Sequence, residues 1–452
     1  MITTINPYTG EKIEKFKELT KPQINKKLKK ADKAFRKWKE EPFSRKEELI
    51  KNLGKELQSN KEKYAADITT EMGKPISQAI AEIEKCVWLC DYYAENAAKH
   101  LSKEKIRTEA YSSYVRYDPL GAILAVMPWN YPFWQVFRFA VPTLIAGNVA
   151  LLKHSSLVMR CAENIEQAFK NAGFPEGCFQ NLIIGSKKVE QIIRDKRVKA
   201  VSLTGSKPAG AAVASTAAEE IKKSVLELGG SNALVVFEDC NLQETVKTCV
   251  QARFQNTGQS CIAGKRLLIQ ESIINEFLEE FITQVRELKS GDPNDEDTFI
   301  GVMASKELAK ELEEQLKDSK EKGAKVVLGG KRRKTYFEPT VVVNVGKKMP
   351  LFKEETFGPV IGVTAFKTDM EAIDLVNRSD FGLGVSVFTE DMERAKAMIP
   401  QFEDGAVFIN ELVKSDPRLP FGGTKISGYG RELSLHGIHE FVNKKTVYIN
   451  KF

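Results

Sequence analysis

The sequence predicts an α/β fold in which a helical layer precedes two stretches of alternating strand and helix, the rhythm of parallel sheets. Three observations carry this. Residues 22–98 repeat apolar positions at three- and four-residue spacing among Lys and Glu. From residue 112 short apolar runs alternate with amphipathic segments, and after Gly229-Gly230 the same alternation starts again. At 452 residues the chain is long enough for two or three domains, and 42% hydrophobic with 29% charged residues excludes disordered and fibrous classes.

In chain order, helices are predicted over 22–40, 45–69 and 76–98, with Gly73-Lys74-Pro75 interrupting the pattern. Residues 113–117 alternate as an edge strand, and 121–127 form a continuous apolar run that reads as a buried strand. Pro128 to Pro132 stop it, and a helix with Phe133, Val136, Phe137, Ala140 and Val141 on one face follows. Strands at 148–153, 181–184, 200–203 and 224–228 then alternate with helices at 158–172, 189–195 and 209–218. The second unit reads as strand 232–237, helix 242–253, strand 266–270, helices 274–289 and 306–322, and strands 325–328, 340–345 and 405–410. Residues 353–360 are a loop feeding another strand. Extended pieces at 112–117 and 445–450 lie outside this rhythm and are candidate intersubunit strands.

Charge excludes little but weighs against nucleic acid. The net charge of +7 is the difference of 68 basic and 61 acidic residues, and the densest basic run, Lys26 to Lys30, lies on a helix whose Leu28, Ala31, Phe35 and Trp38 form a buried face. Seven cysteines at irregular spacing and a polar N-terminus without a signal-like core imply a reducing, cytoplasmic setting. No apolar run is long enough to span a membrane. The four histidines never join Cys or carboxylates in a ligand pattern, so no metal is expected, and Cys86 with Cys90 reads as core.

The chemistry centres on residues 254–264, where Cys261 is bracketed by Gly258, Ser260, Ala263 and Gly264. Small neighbours let another molecule approach the backbone, which suits an exposed nucleophile, although the loop alone fits an ordinary core thiol equally well. Strand, turn and helix start at Thr204-Gly205-Ser206 make an anion-binding recipe, because the first helical turn presents free N–H groups. Alone it fits an ordinary helix start better, and neither GxGxxG nor a Walker A loop occurs.

Six blocks in one order resemble the aldehyde dehydrogenase superfamily nearly end to end: Pro128-Trp129-Asn130, Thr204-Gly205-Ser206, Glu227 to Gly230, Gly258 to Cys261, Glu354 to Pro359, and Pro420 to Gly423 running on through Lys425 and Ser427-Gly428. The match is nearer to compact bacterial succinate-semialdehyde dehydrogenases, on Lys153-His154-Ser155, Phe133 to Arg138 and Asn410 to Pro417. The resemblance implies two Rossmann-like α/β domains and a small β oligomerisation element. It divides the chain into a cofactor-binding domain (1–101 and 119–229), a catalytic domain (230–432) and an oligomerisation element (102–118 and 433–452), in a homodimer or homotetramer.

The resemblance also assigns roles. Cys261 is the nucleophile, Asn130 the oxyanion donor and Glu227 the base that opens a thioester, each suited chemically to its task. Trp129, Gly205, Ser206, Glu355 and Phe357 border NAD or NADP, and Lys153 reaches the adenosine ribose. Ser156 stands where the commonest family pattern has a glutamate that repels a 2′-phosphate, so NADP is tolerated. Arg138 is the candidate anchor for a distal carboxylate, with a structural ion pair as its alternative; Gln135, Ser260 and Ser415 are further pocket candidates. The expected activity is oxidation of succinate semialdehyde or a similar short ω-carboxy aldehyde to the acid. A general aliphatic aldehyde dehydrogenase and a non-catalytic binding protein are the alternatives.

Overall fold

The computed structural model describes residues 1–452 as a mixed α/β molecule built on two sheets of mainly parallel strands. The first has the order Gly428–Tyr429, Lys223–Glu227, Val198–Thr204, Ala122–Met127, Val149–His154, Phe179–Asn181, antiparallel only at Gly428–Tyr429. The second runs Lys325–Leu328, Thr340–Val343, Val360–Phe366, Gly264–Gln270, Asn232–Val236, Val385–Phe388, Val407–Ile409, antiparallel only at Lys325–Leu328. Their continuous apolar runs follow from burial on both faces: Ile123, Leu124, Val235 and Leu268 are all fully enclosed. The predicted fold class is the observed one.

The helical layer packs on the first sheet. Helix Lys21–Trp38 opens with a capping box between Thr20 and Gln23 and buries Ile24, Leu28, Ala31, Ala34 and Trp38, leaving Lys26 and Lys29 in solvent. The Trp38 indole N–H donates to the Leu144 carbonyl at 2.9 Å, tying this helix to Trp134–Ile145. Three local readings differ from the prediction. Residues 2–16 form a hairpin, Ile2–Ile5 with Lys12–Phe16. The predicted helix 45–69 is two helices, Phe43–Ser59 and Lys61–Met72, because Asn60 leaves helical geometry at φ −119° and ψ 18°. The strand expected at 181–184 is Phe179–Asn181, set by pairing with Ala150–Leu152.

A third, antiparallel sheet joins Val442–Ile449 to Ser112–Pro119 and Glu104–Lys105. Tyr448 and Ile449 stand exposed on it, and Val442–Ile449 is its unpaired edge. No helix is long and apolar enough to cross a membrane.

The two main sheets meet end to end. Pro128–Asn130, Gly205–Ser206 and Leu228–Gly229 follow the carboxyl ends of strands in the first sheet, where α/β folds bind ligands. Cys261 and Glu355–Phe357 precede the amino ends of Gly264–Gln270 and Val360–Phe366 in the second. A cleft forms between these edges.

Candidate active site

The loop that presents Cys261 is held in an unusual backbone. Asn256, Thr257 and Gly258 have φ of 56°, 55° and 70° in succession, a left-handed run that only glycine adopts cheaply. Any side chain at Gly258 would run into the Gly358 carbonyl. Hydrogen bonds fix the strained turn: the Gly301 N–H donates to Thr257 Oγ1 at 3.1 Å, the Ala304 N–H to Gln259 Oε1 at 2.9 Å, and the Asn256 N–H to Gln78 Oε1 at 2.6 Å. Lys265, fully buried, donates to the carbonyls of Ser260 at 2.7 Å and Cys261 at 2.8 Å. The thiol itself is half-buried. Burial pushes it up to about 11, against the pull of the Arg138 and Lys265 cations.

Asn130 belongs to this loop by hydrogen bonding. Its side-chain Nδ2 donates to the Gln259 carbonyl at 3.1 Å, while its own carbonyl accepts from Asn256 Nδ2 at 2.9 Å. A carboxamide carries two N–H donors, so anchoring one fixes the direction of the other. His154, buried between the carbonyls of Met127 and Pro132, clamps the turn that carries Asn130. Desolvation lowers this imidazole to about 4 and keeps it neutral.

Glu227 ends the strand Lys223–Glu227 and is 2% exposed, and neither carboxylate oxygen receives a hydrogen bond. Burial, then repulsion from Glu432, raises its proton affinity well above the ordinary carboxylate range, and Arg138 and Arg431 offset this only in part. Gly422 gives it room, since a Cβ there would stand 2.7 Å from Oε1.

Two cavities meet at Cys261 and Gln135. The first, about 370 Å³, is lined by Trp129, Asn130, Thr204, Gly205, Ser206, Gly229, Glu355 and Phe357. Helix Lys207–Glu219 points its N-terminus here without a side-chain cap, leaving amide donors free. Trp129 and Phe357 pack edge to face with centroids 5.6 Å apart. Glu355 accepts from the Gly230 N–H at 3.0 Å and faces Lys265 at 3.5 Å. Lys153, half-buried with no carboxylate partner, and exposed Ser156 stand on the adjacent strand end outside the cavity wall. Free amides at a helix start, an aromatic pair and an unopposed lysine fit a dinucleotide with an anionic pyrophosphate.

The second cavity, about 210 Å³, is lined by Lys85, Tyr131, Trp134, Gln135, Arg138, Ser260, Cys261, Ser415 and Phe421, with others. Arg138 is 2% exposed. It is ion-paired to Glu432, donates to Thr204 Oγ1 at 3.3 Å and lies 4.7 Å from the centroid of the Phe421 ring.

The model of the aldehyde dehydrogenase family matches residues 1–447. The chain belongs to the aldehyde dehydrogenase family. Among its relatives, the probable succinate-semialdehyde dehydrogenase [NADP(+)] of Synechocystis is 46% identical over 99% of both chains. The succinate semialdehyde dehydrogenase [NAD(P)+] of Escherichia coli is 45% identical over 98% of this chain and 97% of its own. The crystal structure of succinic semialdehyde dehydrogenase from Streptococcus pyogenes, in complex with NADP+, superposes with a TM-score of 0.97 at 35% identity over the whole of both chains.

The structure brings Cys261, Asn130, Gln135, Gly205, Ser206, Trp129, Glu355 and Phe357 to one cavity and Arg138, Ser260 and Ser415 to the other, and places Lys153 and Ser156 beside the first. Glu227 pairs in register with Thr204, the residue before Gly205. Sequence reasoning did not find Lys85, Asn256, Lys265 or Glu432 as site residues. Asn256 lies inside the cysteine loop and Lys265 next to it; Lys85 and Glu432 carry no local signal.

Proposed function

We propose that this aldehyde dehydrogenase oxidises a short ω-carboxy aldehyde, succinate semialdehyde, to the acid with NADP or NAD. The observation that supports it most is the setting of Cys261 between a cavity of dinucleotide character and one containing buried cations, with Asn130 on the same loop network. The names of the relatives point the same way.

Cys261 Sγ gives up its proton and adds to the aldehyde carbon, forming a C–S bond and an alkoxide. Burial raises the thiol's proton affinity while the Arg138 and Lys265 cations favour the thiolate, and the proton passes to solvent as the C–S bond forms. The second N–H of Asn130 and the Cys261 backbone N–H stabilise the alkoxide. The nicotinamide cofactor, when bound among Gly205, Ser206, Trp129, Glu355 and Phe357, supplies the acceptor for the hydrogen and electron pair leaving that carbon. Glu227 then takes a proton from the water that adds to the Cys261 thioester, and cleavage of the C–S bond releases the acid and the thiolate. Lys153 and Ser156 would hold the adenosine ribose, where a lysine and a neutral hydroxyl would accept a 2′-phosphate.

Residues 1–101 and 119–229 form the cofactor-binding part, 230–432 the catalytic part, and 102–118 with 433–452 a surface for assembly. The exposed aromatic edge of the antiparallel sheet supports a homodimer or homotetramer. NADH and NADPH formation across carboxylated and plain aldehydes tests the substrate and cofactor together. A kcat/KM that favours succinate semialdehyde over butanal is expected; equal values would support the general aliphatic reading.

A further inference from the structure

Arg138 enters the substrate-side cavity with its charge already matched by Glu432. Lys85 differs. It rises from helix Ile76–His100, its ammonium donates to Ser415 Oγ at 2.8 Å, and it lies 4.4 Å from the centroid of the Trp134 indole. Every carboxylate near it is engaged elsewhere. Glu82 is paired with Lys74 and accepts the N–H groups of Phe133 at 2.8 Å and Trp134 at 3.0 Å. Asp416 is paired with Arg418 at 2.6 Å, and Glu432 with Arg138. Lys85 is therefore the cation of this cavity without a counter-ion.

A half-buried ammonium held by one hydroxyl and one indole face is only partly compensated for lost hydration. Burial and the neighbouring Arg138 lower its proton affinity to about 8, which leaves it mostly charged at neutral pH. An anion arriving beside it repairs that deficit, whereas an apolar group does not.

We propose that Lys85, with Ser415, is the specificity-determining contact for the distal carboxylate of the substrate, while Arg138 acts as a positioning residue held by Glu432. The inference rests on the ω-carboxy aldehyde reading above. Glu82 holds the next helix by its N-terminal amides and Trp134 packs under the ammonium, so the lysine and the wall facing it are set by one network. Removing the ammonium while keeping the stem leaves this packing in place.

Steady-state kinetics of the full-length wild type, Lys85→Met and Lys85→Arg with succinate semialdehyde and with butanal tests it. Expected is a loss of about 30- to 100-fold in kcat/KM for succinate semialdehyde in Lys85→Met, mostly through KM, within about threefold of wild type for butanal, and partial recovery in Lys85→Arg, the size of one charge-assisted contact. Equal losses for both aldehydes, or an unchanged KM for the semialdehyde, overturn the role of Lys85. A wild type with no preference for the semialdehyde overturns the substrate reading itself and this inference with it. Should Lys85→Met not fold, Ser415→Ala, which removes the hydroxyl partner, is expected to raise the semialdehyde KM alone, and an unchanged KM there rejects the proposal.

Discussion

The two cavities that meet at Cys261 are built from different material. The side proposed for the cofactor is made of turns after strands: backbone amides, small residues at Gly205 and Gly229, and a few side chains such as Trp129 and Glu355. The side proposed for the substrate is made of helix faces and the late loop, with long side chains from Lys85, Trp134 and Arg138. A wall of backbone reads features common to many ligands, such as phosphate, and tolerates little change of shape. A wall of side chains can be exchanged one residue at a time, which is why selectivity for the aldehyde is proposed to reside there. Gln135 and Cys261 belong to both.

Arg138 is where the division is most easily broken, because it reaches from Glu432 to Thr204 between the two sides. Arg138→Leu leaves Glu432 buried and unpaired. It is expected to cost about 3–5 kcal/mol of stability, read by chemical denaturation. Without this cation the Cys261 thiol also becomes a weaker acid, so activity should fall with butanal as well as with succinate semialdehyde. A loss confined to the semialdehyde would instead make Arg138 the carboxylate anchor that the sequence suggested.

Asn130→Ala removes the proposed alkoxide donor from the shared chemistry. A fall in kcat of about 10²- to 10³-fold is expected for every aldehyde, equivalent to about 3–4 kcal/mol in the barrier. NADP affinity measured by fluorescence titration should be nearly unchanged. A selective change in KM for one aldehyde class would move Asn130 from catalysis to substrate recognition.

The smallest effect is expected at Ser156→Glu. A carboxylate beside Lys153 neutralises it and repels a 2′-phosphate, so Kd for NADP should rise by about tenfold or more while Kd for NAD changes little. Aldehyde selectivity should not move. If it does, the two sides are coupled and the comparison fails.

The same contrast explains what could be read in the sequence. The residues of the first cavity were legible because each piece is a short contiguous string at a strand end, such as Thr204-Gly205-Ser206. Lys85 was not, since a lysine on an amphipathic helix reads as a solvated side chain, and only tertiary packing turns it toward Ser415. Glu432 was invisible for the same reason: its importance comes from Arg138, hundreds of residues earlier. The hairpin at 2–16 escaped because it is polar and buries only Ile2, Thr4, Pro7 and Phe16. The break at Asn60 escaped because no Gly or Pro marks it and apolar spacing continues across it. Strand and helix alternation from 121 onward was clear because strands buried on both faces must be apolar throughout.

In the proposed reaction Cys261 is acylated and Glu227 deacylates it. Glu227→Gln keeps the shape and removes the base. Mixed with succinate semialdehyde and NADP, quenched in acid and analysed by peptide mass spectrometry, it should show a succinyl thioester on Cys261 after one burst of NADPH, with steady-state turnover reduced by about 10²-fold or more. In the wild type, deacylation should speed up as pH rises through the ionisation of Glu227, which burial places above the ordinary carboxylate range, and the variant should lack that rise. An unmodified Cys261 with undiminished turnover in Glu227→Gln would contradict the account.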